Sequence, residues 1–380
     1  MAASTIWIFA GEASGDLYGA RLACELRKLE PELAIRGMGS SEMAAAEVDI
    51  LVDSTELGVV GFIEVLKHYP MFRRLFWGLV RQAEKERPDL VVLIDYPGFN
   101  LRFAKEMKKR GIPVLYYISP QVWAWGKKRV PEIAELVERM LVIFPFETDV
   151  YKAVDLDARF VGHPLVDIMR EKVDETLTRD PNLVLLLPGS RRSEVDRLLL
   201  PIVDTARRLH AQRPELRFVI SAPRPAIRQR IEGMLGTHGL PIEIDAGSTE
   251  RWMQKASAGI AASGTVTVQA AILGLPLVVV YRMNPLTHWM AMRLINVPYI
   301  TMVNLVADQL VFQEFVQHLD AQELADALLA ILPEGARHAE VLAGIERCVS
   351  RLQTDCDASV TAAAAVHDSL CEFRSLSTES

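Results

Sequence analysis

Residues 183–194 constrain this chain more than any other stretch. Residues 183–187 are five consecutive apolar side chains, which fit a strand buried on both faces and so require structure packed above and below it. Pro188 and Gly189 stop that strand. Gly189 tolerates backbone angles that other residues resist and lets a ligand approach the main chain. Ser190 or Ser193 can then cap a helix over residues 195–208. A strand, a glycine turn and a helix start present free backbone N–H groups, and the positive end of a helix dipole, to an anion. Arg191 adds a planar, permanently charged fork suited to phosphate oxygens. These residues alone also fit an ordinary turn with a solvated arginine pair. A second turn of the same kind, at 263–265, favours the anion site.

A chain of 380 residues is too long for one ordinary core, so two domains are expected. Residues 1–175 and 176–355 each read as a Rossmann-like series, with the polar stretch 170–182 as linker. The alanine-rich run within 356–380 reads as a helix lying back across the first domain. A formal charge of −7 argues against a nucleic-acid partner. Cys24, Cys348, Cys356 and Cys371 have no metal spacing and read as reduced cytoplasmic thiols. The first residues lack the pattern of a signal peptide, and the longest apolar run, 270–281, is broken by Gly274 and Pro276, so no bilayer span is expected. Asp155 and Asp157 have a DxD spacing but precede a strand rather than end one. Neither a metal nor another cofactor is expected.

The first half alternates strands and helices. Residues 5–10 read as a buried strand and 11–16 as a turn that is not a dinucleotide fingerprint. Glu12 and Asp16 can face a cleft there, or Asp16 can favour the start of a helix over 17–29. Residues 90–95 form a second two-sided strand, ending on the carboxylate of Asp95. Ligand crevices in open α/β sheets lie outside the carboxyl ends of strands, so Asp95 is placed for chemistry; capping the next helix, which Phe99 and Asn100 enter, is the alternative. After a strand at 114–118, Trp123 and Trp125 either line a pocket or fill a core edge. His163, beside a proline turn, reads as structural rather than as a base. Over 69–81, Pro70 is expected to open a helix. Its face of Met71, Phe72, Leu75, Phe76 and Leu79, flanked by Arg73, Arg74 and Arg81, either packs on a sheet or meets an anionic membrane surface.

In the second half, strands are expected at 217–221, 242–244, 259–262 and 277–281. Ser263, Gly264 and Thr265 make the second small-residue turn ahead of a helix. Ser263, Thr265 and Thr267 supply hydroxyls, and Gln269 can bond a sugar hydroxyl. Two phosphate-type turns in one domain fit a pyrophosphate better than either alone.

Seven strings occur in one order across residues 6–305: 11–16, 58–61, 94–100, 119–125, 160–164, 187–191 and 263–265. With them the chain resembles the lipid-A-disaccharide synthases, bacterial glycosyltransferases of the two-Rossmann-domain, GT-B-like type. The resemblance implies an α/β fold with two Rossmann-like domains facing each other across a cleft. It implies an inverting transfer of diacylglucosamine from UDP-diacylglucosamine to diacylglucosamine 1-phosphate, giving the β-1,6-linked disaccharide of lipid A. It assigns the base to Asp95, with Glu12 as second catalytic candidate. Donor binding would fall to Gly189, Ser190, Arg191, Ser263, Gly264, Thr265, Thr267, Gln269 and Asn304, and the acceptor and lipid side to Ser14, Asp16, Asn100, Trp123, Phe72 and Phe76. The enzyme would work as a peripheral protein on the inner face of the cytoplasmic membrane, and a homodimer is left open. Two features depart from the family pattern: Gln269 stands where a glutamate is usual, and Asp308, Gln309, Leu310 and Gln313 replace a Gly-Arg-Glu element and proline. A UDP-sugar isomerase of the same architecture, or a silent nucleotide- or lipid-binding relative, is the rival reading.

Overall fold

The computed structural model describes residues 4–55, 62–236, 239–284 and 297–378, so the string 58–61 lies outside the described residues. The chain divides into two compact units, Met1–Pro164 with Gln353–Ser380, and Leu165–Leu352. The first stretch therefore ends at the Gly162-His163-Pro164 turn, ahead of the polar residues 170–182, and most of the helix Pro164–Glu171 belongs to the second unit.

The first unit holds a seven-stranded parallel sheet: β1 (Thr5–Ala10), β2 (Ala34–Gly39), β3 (Asp49–Asp53), β4 (Leu90–Ile94), β5 (Val114–Tyr117), β6 (Arg139–Val142) and β7 (Ala158–Phe160). Their order is β3-β2-β1-β4-β5-β6-β7. β4 and β5 are buried along their whole length, as unbroken apolar runs in a parallel sheet should be, and so is β6, although it opens on Arg139. The chain winds outward from β1 to β3, then returns to β4 on the other side of β1. Right-handed crossovers send the two series of helices to opposite faces. The strand order thus reverses between β1 and β4, the place where open α/β sheets put a ligand crevice, at the carboxyl ends of the strands.

The second unit repeats the plan with β8 (Asp180–Leu187), β9 (Arg217–Ala222), β10 (Ile242–Ala246), β11 (Ala256–Ala262), β12 (Leu277–Tyr281) and β13 (Gln313–Val316). The order is β10-β9-β8-β11-β12-β13, so its reversal falls between β8 and β11.

Two long helices complete the first unit. The helix Phe62–Glu86 begins before Pro70, which sits in its interior rather than at its start. Proline has no N–H to donate, so one helical hydrogen bond is missing there, and a helix of this length accommodates the loss. Phe72, Leu75 and Phe76 pack against the core and Leu79 is buried, whereas Met71 and Trp77 are 43% and 38% exposed. Of the two placements open to this face, the half-buried Phe72 and Phe76 take the packed one, against the core. The second is the C-terminal helix Ala358–Thr378, which packs on the helix Ala13–Leu29. Arg139, buried at the start of β6, ties it down by donating to Ser369 and pairing with Glu372 at 3.1 Å. Arg139 also pairs with Asp157 at 2.6 Å, and Arg159 meets the same carboxylate at 3.1 Å, so the second aspartate of the DxD spacing serves an arginine cluster.

Candidate active site

The first unit places its carboxylates at its switch point. Gly11 and Glu12 leave β1, and Asp95 and Tyr96 leave β4. The Tyr96 ring lies so close over Gly11 that a Cβ there would come within 2.2 Å of it, so only glycine fits. Asp95 and Tyr96 both have left-handed backbones, with φ of 45° and 47°. Two consecutive non-glycine residues in that region store strain of roughly 1–2 kcal/mol each, which persists only where the surroundings impose it. Three hydrogen bonds do so. The Asn100 side-chain amide donates to the carbonyls of Ile94 at 3.1 Å and Asp95 at 2.8 Å, and the Tyr116 hydroxyl donates to the Asp95 carbonyl at 2.5 Å. Pro97 then opens the helix Pro97–Lys108 with φ already suited to it.

Burial raises the Asp95 carboxyl above its ordinary value, and the nearby charge of Glu12 adds to the rise. Burial, with Asp95 beside it, also lifts Tyr18 to about 12. A carboxylate that holds its proton more tightly is also a stronger base once ionised. Other expected residues sit differently. Ser14 is exposed, in the first turn of the helix Ala13–Leu29. Asp16 is buried and accepts the backbone N–H groups of Ser40, Glu42 and Met43 at 2.6, 3.0 and 3.3 Å, capping the helix Ser41–Ala45. Trp123 is 7% exposed, its indole N–H held inside. His163 is buried against Phe144, and burial lowers it to about 4, so it stays neutral.

In the second unit, a cavity of about 550 Å³ lies at the other switch point. It brings together Gly189, Ser190 and Arg191 after β8 with Ser263, Gly264, Thr265 and Gln269 after β11. The backbone amides that open the helix Thr265–Ile272 precede its first internal hydrogen bonds, and Gly264, Thr265 and Val266 line this space. The helix Thr249–Lys255 also starts here, where Thr249 and Ser221 share a hydroxyl hydrogen bond of 2.6 Å. Both helices end on one cation: the Arg179 guanidinium donates to the carbonyls of Met253 at 3.0 Å, Ala256 at 2.5 Å and Leu273. A positive charge at two helix C-termini complements their dipoles, while their N-termini face the cavity.

Neither Ser190 nor Ser193 caps the helix Arg192–Gln212. Glu194 folds back instead, accepting the backbone N–H of Ser190 at 3.0 Å and of Arg191 at 3.3 Å, and the Arg191 guanidinium at 3.1 Å. Gly189, at φ +121°, is the residue that makes room, since a Cβ there would lie 2.6 Å from the Glu194 side chain. Thr267 is fully buried and its hydroxyl donates to the Gly264 carbonyl at 2.8 Å. Asn304 is likewise buried away from the cavity lining. Its amide donates to Phe312 and Glu314, and its oxygen accepts the N–H groups of Val311 and Phe312.

A family model of lipid-A-disaccharide synthetases matches residues 6–365, nearly the whole chain. The chain belongs to the lipid-A-disaccharide synthase family. Among its relatives, the lipid-A-disaccharide synthase of Trichlorobacter lovleyi is 42% identical over 323 residues, covering 82% of this chain and 83% of the relative. That of Geobacter sulfurreducens is 40% identical over 357 residues, covering 92% and 93%. The fold is shared with the Staphylococcus aureus MnaA–UDP co-structure, at a TM-score of 0.64 and 14% identity over 94% of each chain. It is shared also with the spinosyn forosaminyltransferase SpnP, at a TM-score of 0.62 and 15% identity over 98% and 100%.

In this member of the synthase family, sequence reasoning missed several groups at the two sites. Tyr116 reads as an ordinary core tyrosine of β5, and only the strand register brings its hydroxyl under Asp95. Glu194 carried a signal, since a glutamate in the first turn of a helix often reaches back to its start. Ser221 comes from the end of β9, and Thr249 and Glu250 open the helix that follows β10, where the sequence carries no glycine-rich pattern. Among the described residues no cluster of His, Cys, Asp or Glu could hold a metal ion, and no helix is long and apolar enough to cross a membrane.

Proposed function

We propose that this chain transfers diacylglucosamine from its UDP donor to diacylglucosamine 1-phosphate with inversion, forming the β-1,6-linked disaccharide of lipid A and UDP. The observation that carries the reading is the division of chemistry between the two switch points. A carboxylate on a strained, locked stretch of backbone stands at one, and a cavity rimmed by helix N-termini and an arginine stands at the other. Asp95 takes the proton of the acceptor 6-hydroxyl as that oxygen attacks the anomeric carbon. The bond to UDP breaks on the opposite face, and its phosphate charge falls to the amides at 264–266 and to Arg191.

Purified protein incubated with UDP-diacylglucosamine, with and without the acceptor, tests this directly. UDP release that requires the acceptor is the expected result. An altered donor sugar without acceptor would point to an isomerase instead, and no turnover at all would leave a binding protein.

Arg191 also has a defined expectation. Arg191→Ala should weaken UDP binding, measured by calorimetry, by roughly 1.5–3 kcal/mol, the scale of a charge-assisted hydrogen bond. Arg191→Lys should recover only part, because an ammonium cannot reproduce the fork. Unchanged affinity in Arg191→Ala would return this turn to a plain strand-to-helix connection whose arginine serves only Glu194.

Both substrates carry two acyl chains and prefer a bilayer, so the protein is expected to meet them at the inner face of the cytoplasmic membrane. The surface that supports this is the outward side of the helix Phe62–Glu86. Pro70, Arg73, Arg74, Trp77 and Arg81 share one shallow depression there. Three cations around an interfacial aromatic suit anionic headgroups.

A further inference from the structure

Glu147 opens the helix Glu147–Lys152 just beyond β6, and it is 1% exposed. Its Oε1 accepts the Trp123 indole N–H at 3.1 Å, and its Oε2 accepts the Phe144 backbone N–H at 3.2 Å. Among the described residues no arginine or lysine pairs with it, and burial lifts the carboxyl to about 8 against the pull of those hydrogen bonds. The groups facing it are the Trp123 indole, the amides of Ile143 and Phe144, and the hydroxyls of Ser119 and Tyr151. Ser119 and Tyr151 add a second tie between the same two segments, at 2.7 Å. The Trp123 ring also meets Phe146 edge-on at 5.1 Å.

The loop held in this way, 119–125, leaves β5 beside the residues that leave β4. Ile94 pairs with Tyr117, and Asp95 donates its backbone N–H to the Tyr117 carbonyl at 3.0 Å. Fold stability does not explain a carboxyl here. A buried acid that holds its proton in the folded state stabilises the fold only while protonated, and that contribution is lost as pH rises toward about 8. A neutral side chain of the same size would serve packing better. Even with its proton on, the carboxyl keeps acceptor capacity on both oxygens, so it can receive the Trp123 indole N–H and the Phe144 N–H together, whereas an amide turns an NH₂ group toward one of them.

We propose that Glu147 is a positioning residue for the acceptor, fixing Trp123 and the 119–125 loop against the carboxyl edge at which Asp95 works. This inference rests on the proposal that this edge is the acceptor side. Glu147→Gln keeps the shape but presents an NH₂ group to one of the two donors. Acceptor KM should rise about tenfold, the scale of one lost hydrogen bond, with kcat and UDP affinity little changed. The melting temperature near neutral pH should hold or rise. Indole emission should change through about pH 8 in the natural protein, and this change should vanish in both Glu147→Gln and Trp123→Phe. A folded Glu147→Gln with a natural acceptor KM would overturn the proposal. Should that variant fail to fold, Trp123→Phe, which keeps an aromatic ring and removes the N–H, should show the same rise in KM, and a natural KM there would overturn it equally. Natural turnover in Asp95→Asn would instead remove the acceptor-side reading on which this one stands.

Discussion

Asp95→Asn is expected to lower turnover by about 10²–10⁴-fold, the usual effect of removing a general base, while UDP still binds. The substitution is close to isosteric, and asparagine tolerates a left-handed backbone well. The hydrogen bonds from Asn100 and Tyr116 go to the main-chain carbonyl of residue 95, so they survive the change. What disappears is the proton acceptor. The pH dependence follows in sign. A base acts when deprotonated, and burial followed by the Glu12 charge raises Asp95, so the acid limb of the rate profile should lie above the ordinary aspartate range. Glu12→Gln removes the like charge and should move that limb down. Stability should move the other way from activity. A carboxyl raised in the folded state stabilises it below the unfolded value and loses that contribution as pH rises through the folded one. At neutral pH the ionised Asp95 therefore weakens the fold, and Asp95→Asn should melt no lower than the natural protein. Near-natural turnover in the variant would pass the role of base to Glu12.

Much of this arrangement is legible in the chain because buried parallel strands announce themselves. The runs at 90–94 and 183–187 have no alternation, and each ends on a residue that breaks or turns it. The family resemblance carried by the short strings holds over nearly the whole chain. What is not legible depends on contacts between strands far apart in sequence. The left-handed pair at Asp95 and Tyr96 is imposed by Asn100 and Tyr116, and no local preference predicts it. Hydroxyl and amide side chains near a turn read alike whether they face a ligand or the interior. Ser263 and Thr265 line the cavity, while Thr267, two residues further into the helix, bonds the Gly264 carbonyl. Glu194 shows the converse. It takes two of the N–H groups that the turn offers an anion, so a bound phosphate must displace or share that carboxylate. Pro70 misled for a different reason: proline favours a first turn but does not forbid the interior of a long helix.

Phe72→Ser with Phe76→Ser is expected to destabilise the first unit by about 3–5 kcal/mol, the scale of emptying a large aromatic site in a core. Phe76 packs edge-on against Phe99 at 5.4 Å and Phe103 at 6.1 Å, and Phe103 meets Phe9 of β1 in a tilted pair at 4.5 Å. Removing these rings opens a void beneath the sheet, and each serine brings a hydroxyl with no partner provided. The melting temperature should fall by on the order of 10 °C. Such a fall cannot be read as loss of a membrane contact, since the same face of the helix holds the core together. The membrane contact is tested on the opposite face. Arg73→Glu, Arg74→Glu and Arg81→Glu together should leave the melt unchanged, because none of the three makes an ion pair among the described residues. Co-sedimentation with anionic vesicles should drop, at about 1 kcal/mol for each cation lost near the surface, and the binding that remains should lose its sensitivity to salt. Natural sedimentation by the triple variant would move the membrane surface away from this helix. An unchanged melt in the double serine variant would contradict the packing of Phe72 and Phe76.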